Sequence, residues 1–547
     1  MTANIASHLP AMAKRQPDTL AVAVQQAGGH YPRYTYRQLD EASDRIARGL
    51  QEIGIVRGTR TVLMVRPGLD FFALVFALFK VGAVLVAVDP GIGIRNLGKC
   101  LAEAEPAAFI GVKAAHIARR LFGWAKQTLR IHVIVDPGWL IGRGMTSLQQ
   151  LHQLGAGSDK PAMNDTQSED MAAILFTSGS TGVPKGVSYT HANFTAQVTA
   201  LQGLYQIQPG EIDVATFPLF ALFAPALGMS SIIPDMDFTR PGQVDPARII
   251  AAITDFGATT LFASPALLNR VGRYGVAHNL QLPTLRRVLS AGAPVPAVVL
   301  ERVSRMLRPG VQIHTPYGAT ESLPVSSIGS DEVLAETRTA TEQGKGVCIG
   351  RPVSGLEVRV IGITESAIPH WRDELVVPVN EIGEIVVRGP QVTAGYYNRP
   401  RAVELAKIRH DHNGFWHRMG DTGYFDERGR LWFCGRVSQR VITEEGVLFT
   451  IPCEGVFNVH AKVFRTALVG VTIKNKTVLV VCVELEADSR YADRKKIIEE
   501  LLHLGIRFEP TRCITRFLFH PAFPVDIRHN AKIDRERLAR WAQKKIQ

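Results

Sequence analysis

The hydrophobic residues of this chain fall into short apolar runs that alternate with longer amphipathic stretches over residues 1–430. Short apolar runs bounded by turn-forming residues are typical of buried strands, and apolar residues three or four positions apart are typical of helices. Their alternation predicts a layered α/β fold. The clearest strand candidates are Ala172–Phe176, Thr259–Phe262, Val288–Leu289 and Glu384–Val387.

Glycine-rich turns separate several of these runs. Open α/β sheets bind their ligands at the turns that follow strands, so the functional residues are expected in these turns. The candidate turns are Thr177–Gly186, Ser290–Pro294, Tyr317–Ser322 and Gly389–Gly395.

The pattern changes near Gly435–Gln439, after which the chain has strand candidates of its own at Ala467–Val471 and Val478–Glu484. A separate set of strands and helices predicts a separate small domain. We therefore predict a large multi-subdomain α/β domain over residues 1–435 and a small α+β domain over residues 436–547.

Two apolar stretches are long enough to be weighed as membrane spans. Phe71–Val88 is interrupted by Lys80, and Phe217–Pro234 is interrupted by Pro218 and Pro225. A span needs about 20 predominantly apolar residues that can remain helical. Both stretches are therefore predicted to be buried core.

Composition narrows the class of protein further. The chain has 547 residues, of which 46% are hydrophobic and 20% charged, as expected for a folded multidomain protein rather than a disordered one. Its six cysteines form no CxxC pair, which argues against a zinc site or a disulfide framework. The N-terminus predicts a short amphipathic helix and lacks the features of a secretion signal. The expected location is the cytoplasm.

The segment from Phe176 to Val187 reads FTSGSTGVPKGV and has the chemistry of a triphosphate-binding loop. Small residues let backbone N–H groups approach phosphate oxygens, hydroxyls add donors, and lysine adds positive charge. The segment is not a Walker A loop, because Pro184 and Gly186 stand where that motif requires glycine and a hydroxyl residue. The candidate phosphate-binding residues are Thr177, Ser178, Gly179, Ser180, Thr181, Gly182 and Lys185.

This loop resembles the phosphate loop of the adenylate-forming superfamily, which contains acyl-CoA synthetases, luciferases and the adenylation domains of peptide synthetases. The resemblance implies that superfamily's fold, with a mobile C-terminal domain, and a reaction that joins a carboxylic acid to AMP from ATP. It continues in order along most of the chain. The segment Ser290–Pro294 is similar to a turn that lines the acyl and adenine pocket, with Ala291, Gly292 and Ala293 at its centre.

The segment Tyr317–Glu321, which reads YGATE, is similar to another motif of this superfamily. The resemblance implies that Tyr317 stacks on adenine beside Gly318, that Thr320 meets the α-phosphate, and that Glu321 holds Mg²⁺, with Thr177 as a further candidate ligand. A carboxylate suits this cation, because Mg²⁺ takes oxygen ligands.

Two further matches complete the implied site. Asp421 and Arg436 stand where the superfamily binds the ribose hydroxyls, and Lys532 stands where it carries the lysine that stabilises charge during adenylation. The resemblance thus assigns catalysis to Lys532, Glu321, Thr177 and Lys185. The implied cofactors are ATP and Mg²⁺.

Departures from the common acyl-CoA synthetase pattern refine the assignment. Ala221 replaces a histidine found in many relatives, and Gly435–Arg440 lacks the usual acidic hinge residue. The segments FPLFALFAPALGM, FCGRVSQRVIT and FPVDIRHNAKI resemble the β-lactone-forming branch that serves bacterial long-chain olefin biosynthesis. The residues expected to line the acyl pocket are Phe220, Ala221, Leu222 and Phe223.

This closer resemblance implies a 2-alkyl-3-hydroxyalkanoic acid as substrate. Its carboxylate would be adenylated, and its own 3-hydroxyl would attack the acyl carbonyl and expel AMP. His529 and His191 are candidates for a general base, although a structural role is favoured for both. The alternatives are a long-chain acyl-CoA synthetase or acyl-AMP ligase, and a non-catalytic nucleotide-binding scaffold.

The charge distribution leaves the question of partners open. The net charge is +12, and residues 436–547 carry 20 basic and 13 acidic side chains, a balance of +7. A solvated basic face on a domain that handles ATP is the favoured interpretation, and a membrane surface or other enzymes of the pathway are alternatives. The chain lacks nucleic-acid-binding motifs, so nucleic acid is not an expected partner.

The assignment of Lys532 can be tested directly. Lys532→Ala is expected to slow acyl-AMP formation by about 100-fold or more with the fold intact, because a positioned cation stabilises charge that develops in the transition state. The measurement is acid-dependent pyrophosphate release, with circular dichroism as the control for folding. An unchanged rate would remove Lys532 from the mechanism.

Overall fold

The computed structural model describes most of the chain with its side chains. The described residues are 4–26, 28–136, 144–177, 184–410, 414–526 and 532–546.

The strands occur throughout these residues. In chain order they are β1 Leu20–Val24, β2 Arg33–Thr35, β3 Arg60–Met64, β4 Val84–Ala87, β5 Ala108–Gly111, β6 Ile131–Ile134, β7 Thr146–Ser147, β8 Met171–Phe176, β9 Gly186–Thr190, β10 Ile212–Ala215, β11 Ser230–Ile233, β12 Thr260–Ala263, β13 Arg287–Ser290, β14 Gln312–Ala319, β15 Ser322–Gly329, β16 Val347–Cys348, β17 Arg351–Pro352, β18 Glu357–Ile361, β19 Gly383–Arg388, β20 Gly395–Tyr396, β21 Lys407–His410, β22 Gly414–Phe425, β23 Leu431–Arg436, β24 Val441–Thr443, β25 Gly446–Leu448, β26 Val463–Ile473, β27 Lys476–Leu485 and β28 Phe517–Phe519.

The helices lie between these strands. In chain order they are α1 His8–Arg15, α2 Tyr36–Glu52, α3 Leu69–Lys80, α4 Ile94–Ala104, α5 Lys113–Phe122, α6 Leu148–Ala156, α7 His191–Tyr205, α8 Pro218–Ala221, α9 Phe223–Leu227, α10 Pro246–Asp255, α11 Pro265–Ala277, α12 Ala297–Ser304, α13 Ser330–Glu332, α14 Arg338–Glu342, α15 Pro400–Ala406, α16 Thr450–Phe457, α17 Arg494–Gly505 and α18 Arg535–Ile546. Single turns of 3₁₀ helix occur at Ile5–Ser7, Pro90–Ile92, Pro241–Gln243, Asp373–Leu375, Val437–Gln439 and Ala487–Ser489, and a π-helical turn occurs at Val333–Thr337.

Two large, mainly parallel sheets form the body of the described chain. One has eight strands in the order β20-β9-β8-β4-β3-β5-β6-β7, and the other has nine in the order β17-β15-β14-β13-β12-β10-β11-β1-β2. Antiparallel strands extend the edges of both sheets. The predicted α/β architecture is confirmed, and the four predicted strands are observed within one or two residues of their expected ends.

Helix α3 lies in the main hydrophobic core, together with residues from both large sheets. Every residue from Phe71 to Lys80 is buried, which explains the uninterrupted apolar sequence. The ammonium of Lys80 donates to Asp40 Oδ1 at 2.6 Å and to Asp44 Oδ1, so this buried charge is paired. The first apolar stretch is thus a core helix followed by strand β4, as predicted.

The second apolar stretch is also part of the fold. Phe217–Pro234 contains the short helices α8 and α9 and strand β11. Among the described residues, no helix is long and apolar enough to cross a membrane.

A third sheet supports the ribose-binding candidates. It has the order β16-β23-β22-β19-β18, with β21 paired to β22. Asp421 on β22 lies directly opposite Arg436, the last residue of β23. The domain boundary predicted at residues 435 and 436 therefore coincides with the end of this strand.

The last part of the chain has a sheet of its own, in the order β26-β27-β28. Helix α16 packs against β26 on a hydrophobic cluster that includes Cys453, Phe457 and Leu468. The two predicted strands are confirmed, although β26 begins four residues before its predicted start at Ala467. Their long antiparallel hairpin continues through polar residues that carried no strand pattern.

One predicted turn is wrong in its extent. Tyr317–Ala319 belong to β14 and Ser322 begins β15, so the turn between them contains Thr320 and Glu321 alone. The ladder continues across a register shift between Tyr317 and Ala319. Gly318 is required there because a Cβ atom would lie 2.8 Å from the carbonyl oxygen of Ser322. The sequence indicated a loop because glycine is unfavourable in most strands.

Helices α2 and α6 pack closely against each other. Each helix has a glycine that contacts the backbone of the other helix. A Cβ atom on Gly155 would lie 1.8 Å from the carbonyl oxygen of Arg45, and one on Gly49 would lie 2.2 Å from that of Leu151. The two helices can pack this closely only because glycine has no side chain.

Gly155→Ala is expected to lower the free energy of unfolding by about 1–3 kcal/mol, because the new methyl group must separate two packed helices. Gly203→Ala in α7 is the matched control, since no atom lies within 4 Å of the position that its new methyl group would take; it should raise stability by up to about 1 kcal/mol. Urea unfolding of both variants provides the comparison. Equal stability of the two variants would contradict the close approach of α2 and α6.

Candidate active site

Thr177 and Lys185, at the two ends of the glycine-rich loop, are hydrogen-bonded to each other. Strands β8 and β9 are antiparallel, with Phe176 opposite Gly186, so the loop leaves and re-enters the sheet at one point. The N–H of Thr177 donates to the carbonyl of Lys185 at 3.0 Å, and the N–H of Lys185 donates to Thr177 Oγ1 at 3.1 Å. Five predicted residues, Ser178, Gly179, Ser180, Thr181 and Gly182, lie outside the described residues.

Tyr317, Asp421 and Arg436 form one hydrogen-bonded group. Tyr317 Oη donates to Asp421 Oδ2 at 2.6 Å, and Arg436 Nη1 donates to Asp421 Oδ1 at 2.7 Å. Burial and the neighbouring carboxylate hold the pKa of Tyr317 well above its ordinary value, so the phenol remains a donor. The charge of Asp421 raises the pKa of Arg436. The three residues predicted to contact adenosine thus support one another.

Glu321 is held at both its backbone and its side chain. Its carbonyl accepts from Thr393 N at 2.9 Å and from Thr393 Oγ1 at 3.1 Å. Tyr396 Oη donates to Glu321 Oε1 at 2.7 Å, and the Lys185 ammonium lies 4.8 Å from the centre of the Tyr396 ring. Tyr396 therefore connects the predicted metal ligand to the lysine of the phosphate loop.

The donor set near Glu321 suits Mg²⁺ held partly by a substrate. Within the described ranges, no group of three or more His, Cys, Asp or Glu side chains could hold a metal ion. Mg²⁺ is commonly bound by one or two carboxylates together with phosphate oxygens and water. A fixed carboxylate that Tyr396 connects to Lys185, at the end of the predicted phosphate loop, fits that pattern.

Two side chains, the buried Tyr189 and the half-buried Lys407, support this turn from behind. Tyr189 Oη donates to the carbonyl of Thr320 and accepts from Gln197 Nε2 at 3.3 Å. The Lys407 ammonium donates to the carbonyl of Thr393, and burial lowers the pKa of this lysine to about 7. These contacts fix the two backbone segments that hold Glu321.

Sequence reasoning missed Tyr396, Thr393, Tyr189 and Lys407. Tyr396 directly follows the predicted Gly389–Gly395 turn, so its place beside a functional turn was the available signal. Thr393 lies inside that turn, so the same signal was available for it. Tyr189 and Lys407 act through contacts with other segments of the chain, and no local pattern marks such contacts.

One large cavity, of about 2910 Å³, brings the remaining site residues together. Gly292, which follows β13, has a φ of +99° that favours glycine and turns the backbone along the cavity wall. Lys532 is exposed and reaches the wall from the C-terminal part of the chain. The predicted residues that line the cavity are Thr177, Lys185, Ala291, Gly292, Ala293, Tyr317, Gly318, Thr320, Glu321, Asp421, Arg436 and Lys532.

The cavity continues into an apolar arm beyond these polar groups. Phe220, Leu222 and Phe223 line it, and the Phe220 ring stacks on Phe262 with centroids 4.3 Å apart. Ala221, also predicted for the pocket, is fully buried in the hydrophobic core and is not part of the wall. Leu222 separates the short helices α8 and α9, and this local geometry puts Ala221 on the inner side.

His191 does not meet the requirements of a general base. It is fully buried, its Nδ1 accepts from the N–H of Ile5 at 3.2 Å, and burial lowers its pKa to about 4. It does not line the cavity. The structural role favoured from the sequence agrees with these contacts, and His529 lies outside the described residues.

Asp213 is a further titratable group in the cavity wall that the sequence did not single out. It lies on β10, and burial raises its pKa to about 7. The positive charge of Arg287 lowers the pKa of Asp213, but the Arg287 guanidinium also donates to Glu211 at 3.1 Å. Asp213 therefore faces the cavity with its carboxylate form disfavoured.

Known proteins match this chain in sequence. The model of a family described as AMP-binding enzyme matches residues 9–397. An olefin β-lactone synthetase of Stenotrophomonas maltophilia (strain K279a) is 49% identical over 555 residues, covering 100% of this chain and 99% of the relative. An olefin β-lactone synthetase of Xanthomonas campestris pv. campestris is 48% identical over 549 residues, covering 98% and 97%.

Solved structures share the fold. The amide bond synthetase McbA from Marinactinospora thermotolerans superposes with a TM-score of 0.79 at 23% identity, over 99% of this chain and all of that one. ATP-bound MatB from Rhodopseudomonas palustris gives a TM-score of 0.79 at 21% identity over the full length of both chains. At this identity the likeness establishes the fold and nothing finer.

The support of Glu321 by Tyr396 generates a prediction. Tyr396→Phe removes the donor to Glu321 Oε1 but keeps the ring beside Lys185, and is expected to slow acid-dependent ATP–pyrophosphate exchange about 10- to 100-fold, as for the loss of a hydrogen bond to a charged group. Tyr397→Phe is the matched control, because that ring lies against Arg60 instead. If both variants exchanged at the wild-type rate, Tyr396 would have no part in positioning Glu321.

Proposed function

The chain belongs to the AMP-binding enzyme family, and from this premise we propose that it is an ATP-dependent ligase that forms β-lactones for long-chain olefin biosynthesis. Its substrate is a 2-alkyl-3-hydroxyalkanoic acid, and its products are a β-lactone, AMP and pyrophosphate. The observation that carries the proposal is a single cavity lined both by the predicted adenylation residues and by apolar side chains that include Phe220, Leu222 and Phe223. The names of the two nearly half-identical relatives support it.

In the first step the substrate carboxylate attacks the α-phosphorus of ATP and pyrophosphate leaves. Both reactants are anions, so the protein must position them and offset their charge. Thr177 and Lys185 would contact the phosphates, Tyr317 the adenine, and Asp421 with Arg436 the ribose. Mg²⁺, held by Glu321, would supply further positive charge at the phosphate oxygens.

The C-terminal residues 436–547 act in this proposal as a mobile lid on residues 1–435. Lys532 belongs to the lid and lines the cavity, where its ammonium would stabilise the charge that develops during adenylation. Besides the Asp421–Arg436 pair at the boundary, two ion pairs of the described residues join the lid to the larger domain: Arg273 donates to Glu486 at 3.0 Å and Arg440 to Glu365 at 2.7 Å. In each of these two pairs one side chain, Arg273 or Glu365, is more than half exposed to solvent, which keeps the pair weak enough to break when the lid rotates.

In the second step the 3-hydroxyl oxygen bonds to the acyl carbon and the hydroxyl gives up its proton. The bond from that carbon to the phosphate oxygen breaks, and AMP leaves. The nucleophile is already tethered to the acyl group, so no second substrate has to bind. The site must instead exclude water, which would hydrolyse the adenylate. The aromatic wall formed by Phe220, Phe223 and Phe262 would hold the alkyl chains and serve this purpose.

The substrate, partners and location that we propose for the protein follow from the same chemistry. The substrate is a small amphiphilic acid, and assembly with other enzymes of olefin biosynthesis would pass the lactone onward. Nucleic acid has no place in the reaction. All six cysteines are free thiols, with Cys513 exposed, which suits the reducing cytoplasm that we propose as its location.

Product analysis tests this proposal. With a racemic 2-alkyl-3-hydroxyalkanoic acid, ATP and Mg²⁺, and no CoA, we expect equimolar β-lactone and AMP, detected by proton NMR and chromatography. The matching acid without the 3-hydroxyl should support ATP–pyrophosphate exchange but yield no lactone, because the internal nucleophile is missing.

Two other results would overturn it. A strict requirement for CoA, with a thioester product, would favour a long-chain acyl-CoA synthetase. Absence of any acid-dependent exchange would favour a non-catalytic nucleotide-binding protein.

A further inference from the structure

Helix α5 exposes its three large apolar side chains and buries two of its polar ones. Ile117, Leu121 and Phe122 are 43%, 75% and 51% exposed, whereas His116 and Arg119 are buried against the sheet. A helix on the surface of a globular protein normally has the opposite arrangement. Exposed apolar side chains grouped in this way mark an interaction surface more often than a free one.

Polar contacts fix this orientation of α5. His116 Nε2 lies 2.8 Å from the carbonyl oxygen of Val133, and the Arg119 guanidinium lies 5.7 Å from the centre of the Phe109 ring. Rotation of the helix to bury Leu121 would break both contacts and expose Phe109. The outward apolar face is therefore a stable feature of this fold.

Exposed basic side chains occur on the same two segments of the chain. Arg120 on α5 and Lys126 just after it are exposed, and so are Arg95 and Lys99 on the neighbouring helix α4. Trp124 joins the two helices, because its ring packs against Gly98. The nearest acidic side chains of α4 and its end are engaged: Glu103 accepts from Arg399 at 2.6 Å, and Glu105 lies 3.9 Å from Arg60.

The same surface adjoins the large cavity. Leu97, Ala115 and Trp124 line that cavity, and the exposed ring of Phe122 stacks on Trp124 with centroids 5.9 Å apart. The apolar surface and the cavity wall therefore meet at one side chain, Trp124.

We propose that α5 and the start of α4 dock this protein on an anionic lipid membrane, with Ile117, Leu121 and Phe122 inserted among the lipids. Apolar residues together with basic ones match a surface that is apolar below and negatively charged above. A protein partner would need both an apolar patch and acidic groups. An anionic lipid surface has both properties by its nature. The docking rests on this surface alone and does not depend on the proposed reaction.

Co-sedimentation with vesicles tests the docking. The full-length protein is mixed with vesicles of phosphatidylcholine, or of phosphatidylcholine with a quarter of phosphatidylglycerol, and the bound fraction is measured at low and high salt. We expect binding to the anionic vesicles that weakens at least about fivefold from 0.05 to 0.5 M NaCl, since salt screens the attraction of basic residues. Little binding is expected to phosphatidylcholine alone.

The variant Ile117→Glu/Leu121→Glu should lower the partition coefficient at least about tenfold, because it removes two inserted side chains and adds two negative charges. The matched control is Val379→Glu/Ile506→Glu, which makes the same charge change at apolar residues that are 56% and 72% exposed elsewhere. The control should bind within about twofold of the wild type. Circular dichroism establishes that both variants are folded.

Three results would overturn the proposal. They are absence of wild-type binding to anionic vesicles, equal binding by the α5 variant and its control, and a wild-type protein that is larger than the α5 variant in solution without lipid. The last result would identify the surface as a contact between two copies of the chain.

Discussion

The burial of helix α3 in the core shared by the two large sheets is the constraint on which the rest of the structure depends. Its apolar residues pack into that core, and its one buried charge, Lys80, is neutralised by Asp40 and Asp44. Within each sheet, the parallel strands then end along a common edge. Thr177 directly after β8, the turn after β13 and the tight turn at Thr320–Glu321 all line one cavity.

The polar site is rigid where charge must be held in place. Tyr317 and Arg436 occupy both oxygens of Asp421, and Tyr396 and Thr393 fix Glu321. Such contacts orient the charged groups before a ligand arrives, which is how enzymes stabilise charge that develops during a reaction. The apolar arm lacks these contacts and is shaped by aromatic side chains, which suits alkyl chains of variable conformation.

The six strands named from the sequence are all observed, and the order of the motifs could be predicted, because period and glycine placement are local properties of the sequence. The turn predicted at Tyr317–Ser322 is too long, because Gly318 lies within the β14–β15 ladder, where it allows a close approach of the two backbones. Ala221 was assigned to the pocket with its neighbours, because the sequence alone does not show which way a residue beside a helix junction faces.

The sequence by itself determined the fold class and the family, and it predicts the residues that would meet ATP, since each depends on short ordered motifs. Tertiary structure alone decided that Tyr396 contacts Glu321, 75 residues away in the chain, and that α5 turns its apolar face outward. The physical reason is the same for both. A local pattern fixes the conformation of a segment, whereas its neighbours depend on how distant segments pack.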